Sequence, residues 1–473
     1  MTNSAADDSE FLPSATTRML LADRRFAALW LNQALGQTAQ YALLFTLLIV
    51  VLNITNSTIH TTLVVLAFIL PSMLFGIPVG VLLDRWPKES VLLAANVVRA
   101  STCLFLLFFH QNEWIIYGGT FVFAAASQFF NPAVVALIPA LVPKEKLINA
   151  NTLYNFTLMS AQFVGIVFLA PTVLKSAGPE GMLILAAAFF AVAGGLALFL
   201  HPGDRAPREA RWEGPLFGGI PEDFRESWRA LRGDLASVMA MVQLTLSSSL
   251  VLLFAILIPR FMKDTLAVTP DNAAFVFAPT GVGALLGLRL LPWFSQQIGK
   301  ARVVTVGLVG IALCLVALAL VEPLATLLER TGVLDPEGVG GLGLLVTLTM
   351  FFAFPLGLSY AFLNAPAQTV LHERAPAEMR GRIFTTQIVS ANFFSLLPLL
   401  VIGAITDAVG ISWVLILIAV VVSLMSVLNR VVGRRSEQAA ALLEAPRQTM
   451  TGTDRANLSP SVDVDTRERA TLE

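Results

Sequence analysis

Twelve long apolar stretches run through this chain, and none of them contains an Asp, Glu or Lys. They fall at about 26–52, 60–83, 91–109, 114–139, 149–174, 182–200, 237–259, 272–292, 303–321, 341–363, 383–406 and 411–432. A helix needs roughly 20 apolar residues to cross a bilayer. With no water in hydrocarbon to satisfy backbone groups, stretches of this length must be helical. The chain is therefore expected to be an all-α membrane protein with twelve transmembrane helices. Only 13% of its residues are charged, about half of the soluble average.

Cation placement orients the spans. Connections that would lie on the far side from the N-terminus hold four cations, Lys175, Arg260, Lys263 and Arg330; the other connections and the tails hold twenty-five. The positive-inside rule puts both termini in the cytoplasm, in a multi-pass protein of the cytoplasmic (inner) membrane. Residues 1–17 are polar and acidic, unlike a cleaved leader, and are expected to form a disordered tail. The net charge of −1 offers nothing to nucleic acid. Cys103 and Cys314 lie in different halves and read as small apolar core residues, not as a disulfide or metal pair. The four histidines lie near span ends, without ligand spacing, and no carboxylate pair or Ser-His-acid set shares one depth. We expect no metal, no cofactor and no enzymatic activity.

Six spans precede residues 201–236 and six follow. That stretch is rich in Arg, acids and Pro and reads as a cytoplasmic linker. Within it Phe224, Trp228 and Leu231 share one face of a short amphipathic helix, suited to the membrane surface or to simple solvation. The halves repeat each other. Asn131-Pro132-Ala133 followed by Pro143-Lys144-Glu145-Lys146 matches Asn364-Ala365-Pro366-Ala367 followed by Pro376-Ala377-Glu378-Met379-Arg380. Two pseudo-symmetric six-helix bundles, 18–200 and 237–432, around a central cavity is an arrangement of secondary transporters. Residues 433–473 lack an apolar period and are expected to be a disordered cytoplasmic tail.

Polar groups inside spans are functional candidates, because hydrocarbon penalises them. Asn32, Gln33, Gln37 and Gln40 mark one side of span one, with Gly36 beside them. The stripe either lines a water-filled cavity or hydrogen-bonds to neighbouring helices. Weaker stripes are Gln128 with Asn131, Asn155 with Gln162, Gln243 with Ser247, Tyr360 with Asn364, and Gln387 with Asn392. Arg99 lies about 12 Å into span three, with no acid at comparable depth. It can pair with Asp84 at the end of span two, bond to amides and carbonyls of a facing helix, bind an anionic substrate, or snorkel to the surface.

Span two closes with Gly76-Ile77-Pro78-Val79-Gly80-Val81-Leu82-Leu83-Asp84-Arg85-Trp86-Pro87-Lys88. This segment resembles the Gly-x-Leu-Ala-Asp-Arg-x-Gly-Arg-Lys signature of the major facilitator superfamily at Gly80, Leu82, Asp84, Arg85 and Lys88. Pro87 replaces the second Gly and Glu89 a cation. Gly76 and Gly80, one turn apart, permit close helix approach. The resemblance implies that this cluster, through Asp84 and Arg85, latches the halves in the outward-facing state; pairing with Asp84 adds Arg99 to it. Phe130 to Ala133, Ala140 to Asn151, Phe224 to Arg229 and Arg380 to Phe384 are similar to efflux permeases typified by macrolide and siderophore exporters. Span five departs, with only Gly165 and Pro171 where antiporters carry Gly-Pro-x-x-Gly-Gly. The resemblance implies export of an amphiphilic small molecule by alternating access, the partners being that substrate and membrane lipid and the working unit a monomer. If a proton gradient drives it, the carriers are Asp84, Glu113, Glu322 and Asp407 at span ends, or the substrate itself. A facilitator or importer of a neutral solute, a lysophospholipid flippase and a non-transporting scaffold are the competing readings.

Overall fold

The computed structural model describes residues 15–143, 146–200, 234–331, 343–374 and 380–449; some side chains inside its helices, including Gly76, Gly80, Asp84, Arg85 and Asn155, are outside the described set. Among the described residues every element is helical. In chain order these are α1 (Ala15–Ala22), α2 (Arg24–Thr55), α3 (Thr58–Arg85), α4 (Lys88–Phe109), α5 (Glu113–Leu141), α6 (Leu147–Phe163), α7 (Ala170–Ala197), α8 (Leu235–Asp264), α9 (Ala273–Ile298), α10 (Lys300–Ala319), α11 (Val321–Thr331), α12 (Leu344–Arg374), α13 (Arg380–Val409) and α14 (Ile411–Thr449).

Among the described residues eleven continuous stretches are long and apolar enough to span a membrane, and one of them, Asn149–Ala197, has 49 residues. That is about 73 Å of helix, more than twice the ~30 Å hydrocarbon core, so it corresponds to the fifth and sixth expected spans. The division falls at Gly178, whose φ of 68° and ψ of −173° are non-helical, followed by Pro179. Before it, Val164–Leu169 winds as a π-helix between α6 and α7, a feature that nothing in six consecutive apolar or small residues announces.

Local chemistry sets the other boundaries. Asp23 caps α2 by accepting from the N–H groups of Arg25 (2.8 Å) and Phe26 (3.3 Å), Asn112 caps α5, and Asp234 caps α8, each satisfying donors that a helix start leaves free. Asn56 ends α2 in the left-handed region. Burial raises the Asp234 carboxyl, but the Ser237 hydroxyl, Arg374 and the N–H groups of Ala236 and Ser237 outweigh it and hold it below the ordinary carboxylate range. The linker 201–233, with its expected amphipathic helix, lies outside the described residues. Parts of both tails are described. Residues 15–17 already belong to α1. The helix of the last span continues to Thr449, so residues 433–449 are helical; Glu, Gln, Ala and Leu are strong helix formers and extend a helix that the span has already nucleated. Residues 1–14 and 450–473 lie outside the described set.

One face of the molecule carries the starts of α2 and α8 and the ends of α7 and α12; we term it the terminal face. The opposite, distal face carries the turns at 56, 110–112 and 410. The apolar core reflects this division. Its largest cluster runs through both halves, from Ala39–Val51 of α2 and Val64–Ile69 of α3 to Leu250–Met262 of α8 and Leu399 of α13. On the terminal side, by contrast, a separate cluster from Leu20 to Leu200 belongs to the N-terminal half alone, and a small one around Met241 and Leu371 to the C-terminal half alone.

Inside the C-terminal half, α9 and α12 meet backbone to backbone. A Cβ on Gly357 would collide with the Thr280 carbonyl, and one on Gly283 with the Phe354 carbonyl. Small residues permit such approach, the usual source of helix adhesion in lipid. Gly357→Val should therefore separate α9 from α12 and destabilise the protein by about 1–3 kcal/mol, read as a lower unfolding midpoint in detergent. Gly195→Ala, where an added Cβ meets nothing within 4 Å, should be neutral or stabilising by up to about 1 kcal/mol. Thermal unfolding of the two variants side by side checks the contrast.

Candidate functional site

The amide stripe of α2 faces protein. Asn32, Gln33, Gln37 and Gln40 are all buried. Asn32 donates to the carbonyl of Ala193 on α7, and Gln33 donates to the carbonyl of Tyr154 on α6 at 3.1 Å. Gln37 donates to Oδ1 of Asn131 on α5, and Trp30 donates to Thr157 at 2.8 Å. These bonds join α5, α6 and α7 to α2. Asn32 and Gln33, and Gln40 through Arg99, bond to neighbouring helices. Gln37 also bonds to a neighbour, but that neighbour, Asn131, is only half-buried.

Arg99 is completely buried. Its Nε donates to the Ser127 hydroxyl (2.9 Å) and its Nη2 to Gln40 Oε1 (2.9 Å), with Nη1 3.5 Å from Asn96 Oδ1. The guanidinium carbon stands 4.3 Å from the ring centre of Phe130, 5.2 Å from Phe190 and 5.7 Å from Phe123. Such stacking contributes about 0.5–2 kcal/mol per ring, and hydrogen bonds to a charged group about 1.5–3 kcal/mol each. These are the terms that offset desolvation here, because the described partners are all neutral. Gly36 completes the nest. A Cβ there would lie 3.2 Å from Phe130 and 3.5 Å from Arg99 Nη1. Arg99 is thus a post that ties α2, α4, α5 and α7 together. The expected pairing with Asp84 falls on a side chain outside the described residues, as do the latch positions Gly76, Gly80 and Arg85. Lys88 is partly buried at the start of α4.

The C-terminal half answers with a related arrangement. Asn364 on α12 donates to the Ser247 hydroxyl on α8 (2.7 Å) and lies 3.4 Å from the Tyr360 hydroxyl. Both Asn364 and Tyr360 are half-buried. Gln243, one turn before Ser247, does not join them. It donates to Asn429 of α14 (2.8 Å), which passes the chain of bonds to Thr305 and the Ala301 carbonyl on α10. Asn429 lies outside every sequence-level stripe, since a single amide in an apolar run gives no periodic signal. Gln128 is half-buried and Gln387 is buried on α13. Asn392 reaches across the halves to donate to Ser72 on α3 at 3.1 Å.

Asn131 and Asn364 each stand ten residues before the end of their helix, at Leu141 and Arg374, or about 15 Å from the terminal face. Gln37 and Ser247 stand thirteen and twelve residues into α2 and α8. The duplicated Asn motifs therefore occupy corresponding depths, each bonded to the first helix of its own half.

Residues 29–347 match the family described as Major Facilitator Superfamily. Macrolide efflux protein A of Streptococcus pyogenes is 21% identical over 83% of this chain and 92% of its own length. The multidrug efflux pump Tap of Mycolicibacterium fortuitum is 21% identical over 76% and 84%. A 29% identical match to the MFS-type transporter YkuC of Bacillus subtilis spans 45% of this chain and about half, 47%, of that relative. Among solved structures, the nucleoside transporter NupG superposes with a TM-score of 0.65 at 14% identity, covering 87% of this chain and 99% of that one. The chain is a member of the Major Facilitator Superfamily of membrane transporters.

Proposed function

We propose that this protein exports amphiphilic small molecules across the cytoplasmic membrane by alternating access, with both termini inside. The carrying observation is the pair of half-buried asparagines, Asn131 with Gln37 and Asn364 with Ser247 and Tyr360, at matching depth in the two halves. They offer neutral donors and acceptors with no carboxylate, which suits uncharged or weakly anionic cargo and gives a cationic drug no counter-ion. Gln128 and Gln387 belong to the same pocket in this reading, and the buried amides Asn32, Gln33, Gln40 and Gln243 hold its walls. The efflux proteins among the relatives favour export. The twenty-five to four bias of cations supports a cytoplasmic terminal face, and the apolar cluster that both halves share around the distal side supports an inward-facing arrangement. Gly76, Gly80, Asp84, Arg85 and Lys88 serve as the latch of the opposite, outward-facing state, with Arg99 as the rigid post beside them.

Cells expressing the protein should accumulate less of a panel of fluorescent amphiphiles and macrolides, and a protonophore should abolish the difference. Export that persists under the protonophore would place the energy source elsewhere. Asn131→Leu and Asn364→Leu should each cut transport by about tenfold, the loss of one good hydrogen bond; unchanged export of every compound in both variants would remove the pocket assignment. Arg99→Met should lower the unfolding midpoint in detergent by at least about 2 °C, from about 1–3 kcal/mol of unsatisfied partners, whatever its effect on transport. A midpoint equal to that of the unaltered protein would refute the post.

A further inference from the structure

The N-terminus of α3 presents backbone N–H groups that a helix cannot satisfy itself, and Ser57, at its cap position, makes no side-chain cap bond. The missing acceptor comes from the other half of the molecule. Asp407, near the end of α13, accepts from the N–H of Thr58 (2.7 Å), the N–H of Ile59 (3.1 Å) and the hydroxyl of Ser57 (2.5 Å). A carboxylate at this position also meets the positive end of the helix dipole. Arg260 of α8 stands 3.9 Å from the same carboxylate, while its Nη1 donates to the Asn56 carbonyl (2.7 Å) and Lys263 donates to Asn56 Oδ1 (2.9 Å). Asp264 is the further charge here, bonded to Arg260. The α2–α3 turn is thus gripped by α8 and α13 together.

Below this grip, α3 and α13 run antiparallel in one register. Thr58 meets Asp407, Gly403 lies against Thr62 so closely that a Cβ on it would strike the Thr62 hydroxyl, and Ser72 bonds to Asn392. As the number on α3 rises from 58 to 72, that on α13 falls from 407 to 392. Carried on to Asp84 at the far end of α3, the same register arrives at Arg380, where α13 begins.

We propose that Asp407 is the distal-face latch of the protein: a trans-supplied helix cap that holds the two halves closed on that side and must be released before the outward-facing state forms. It complements, on the opposite face, the latch proposed above for Asp84. This assignment rests on the alternating-access reading for its consequence in transport. The closure itself is testable without any substrate.

The test uses the full chain in cells with Cys103→Ser and Cys314→Ser and one reporter, Thr62→Cys, which is fully buried against Gly403. A membrane-impermeant maleimide added from outside should react with it slowly. Asp407→Ala should raise the rate about tenfold or more, the loss of at least one hydrogen bond to a charged group. Gly403→Val, a wedge that leaves every charge in place, should do the same. Glu329→Gln, an exposed acid on α11 away from the seam, should not. Unchanged labelling in both seam variants overturns the latch. So does labelling of Cys103, buried within the N-terminal half, when it is retained in the Asp407→Ala protein, because that reports unfolding and not opening. Faster labelling of Thr62→Cys without export of any amphiphile by the unaltered protein would keep the latch and refute the exporter reading; lost export with unchanged labelling would do the reverse.

Discussion

Hydrocarbon offers no hydrogen-bond partner, and the architecture follows from that single deprivation. Polar groups that enter the membrane interior must find their partners within the protein, and in the N-terminal half they do so through α2. Its amides reach α5, α6 and α7, and through Gln40 the guanidinium of Arg99 is tied to α2 as well as to Ser127 of α5. The three phenyl faces around Arg99 take the place of a counter-ion. An acid would have neutralised the charge more directly. Neutral partners instead leave the half held in shape without a second ionised group in the apolar interior.

The two halves solve the same problem differently. The N-terminal half ties its helices with side-chain amides and one close backbone approach, Gly165 against Thr38, whereas the C-terminal half joins backbone contact at Gly283 and Gly357 to the Gln243–Asn429–Thr305 chain. What survives of the duplication is the placement of Asn131 and Asn364. Sequence divergence has been tolerated in how each bundle is held together, and less so in where its polar group stands.

Much of this is legible in the sequence. The spans are runs of apolar residues, and a run is a local property. Asp23, Asn112 and Asp234 announce helix starts because capping is also local. Arg99 stands out as a deep cation, and the α2 stripe as an ordered set of amides. What escapes is non-local or uniform. The π-turn at Val164–Leu169 lies in an unbroken apolar stretch, where an extra residue per turn leaves no trace in the pattern. The cap of α3 comes from a residue 349 positions later, which no window over Ser57 can contain. Residues 433–449 carry no apolar period and so read as a tail, although propensity alone prolongs a helix already begun.

The bond between Ser72 and Asn392 lies halfway along α3, fourteen residues from its start in a helix of 28. It makes a natural fulcrum. With α9 and α12 in backbone contact at Gly283 and Gly357, and α10 and α12 at Gly307, the proposed alternating-access cycle has the C-terminal half move as one lever about that point. The arm from Asn392 to Val409 is about seventeen residues, or about 25 Å, so a tilt of about 10° moves its tip by roughly 4 Å. That displacement exceeds the reach of any hydrogen bond. In the proposed cycle, latching at one face and release at the other are then two readings of one small rotation.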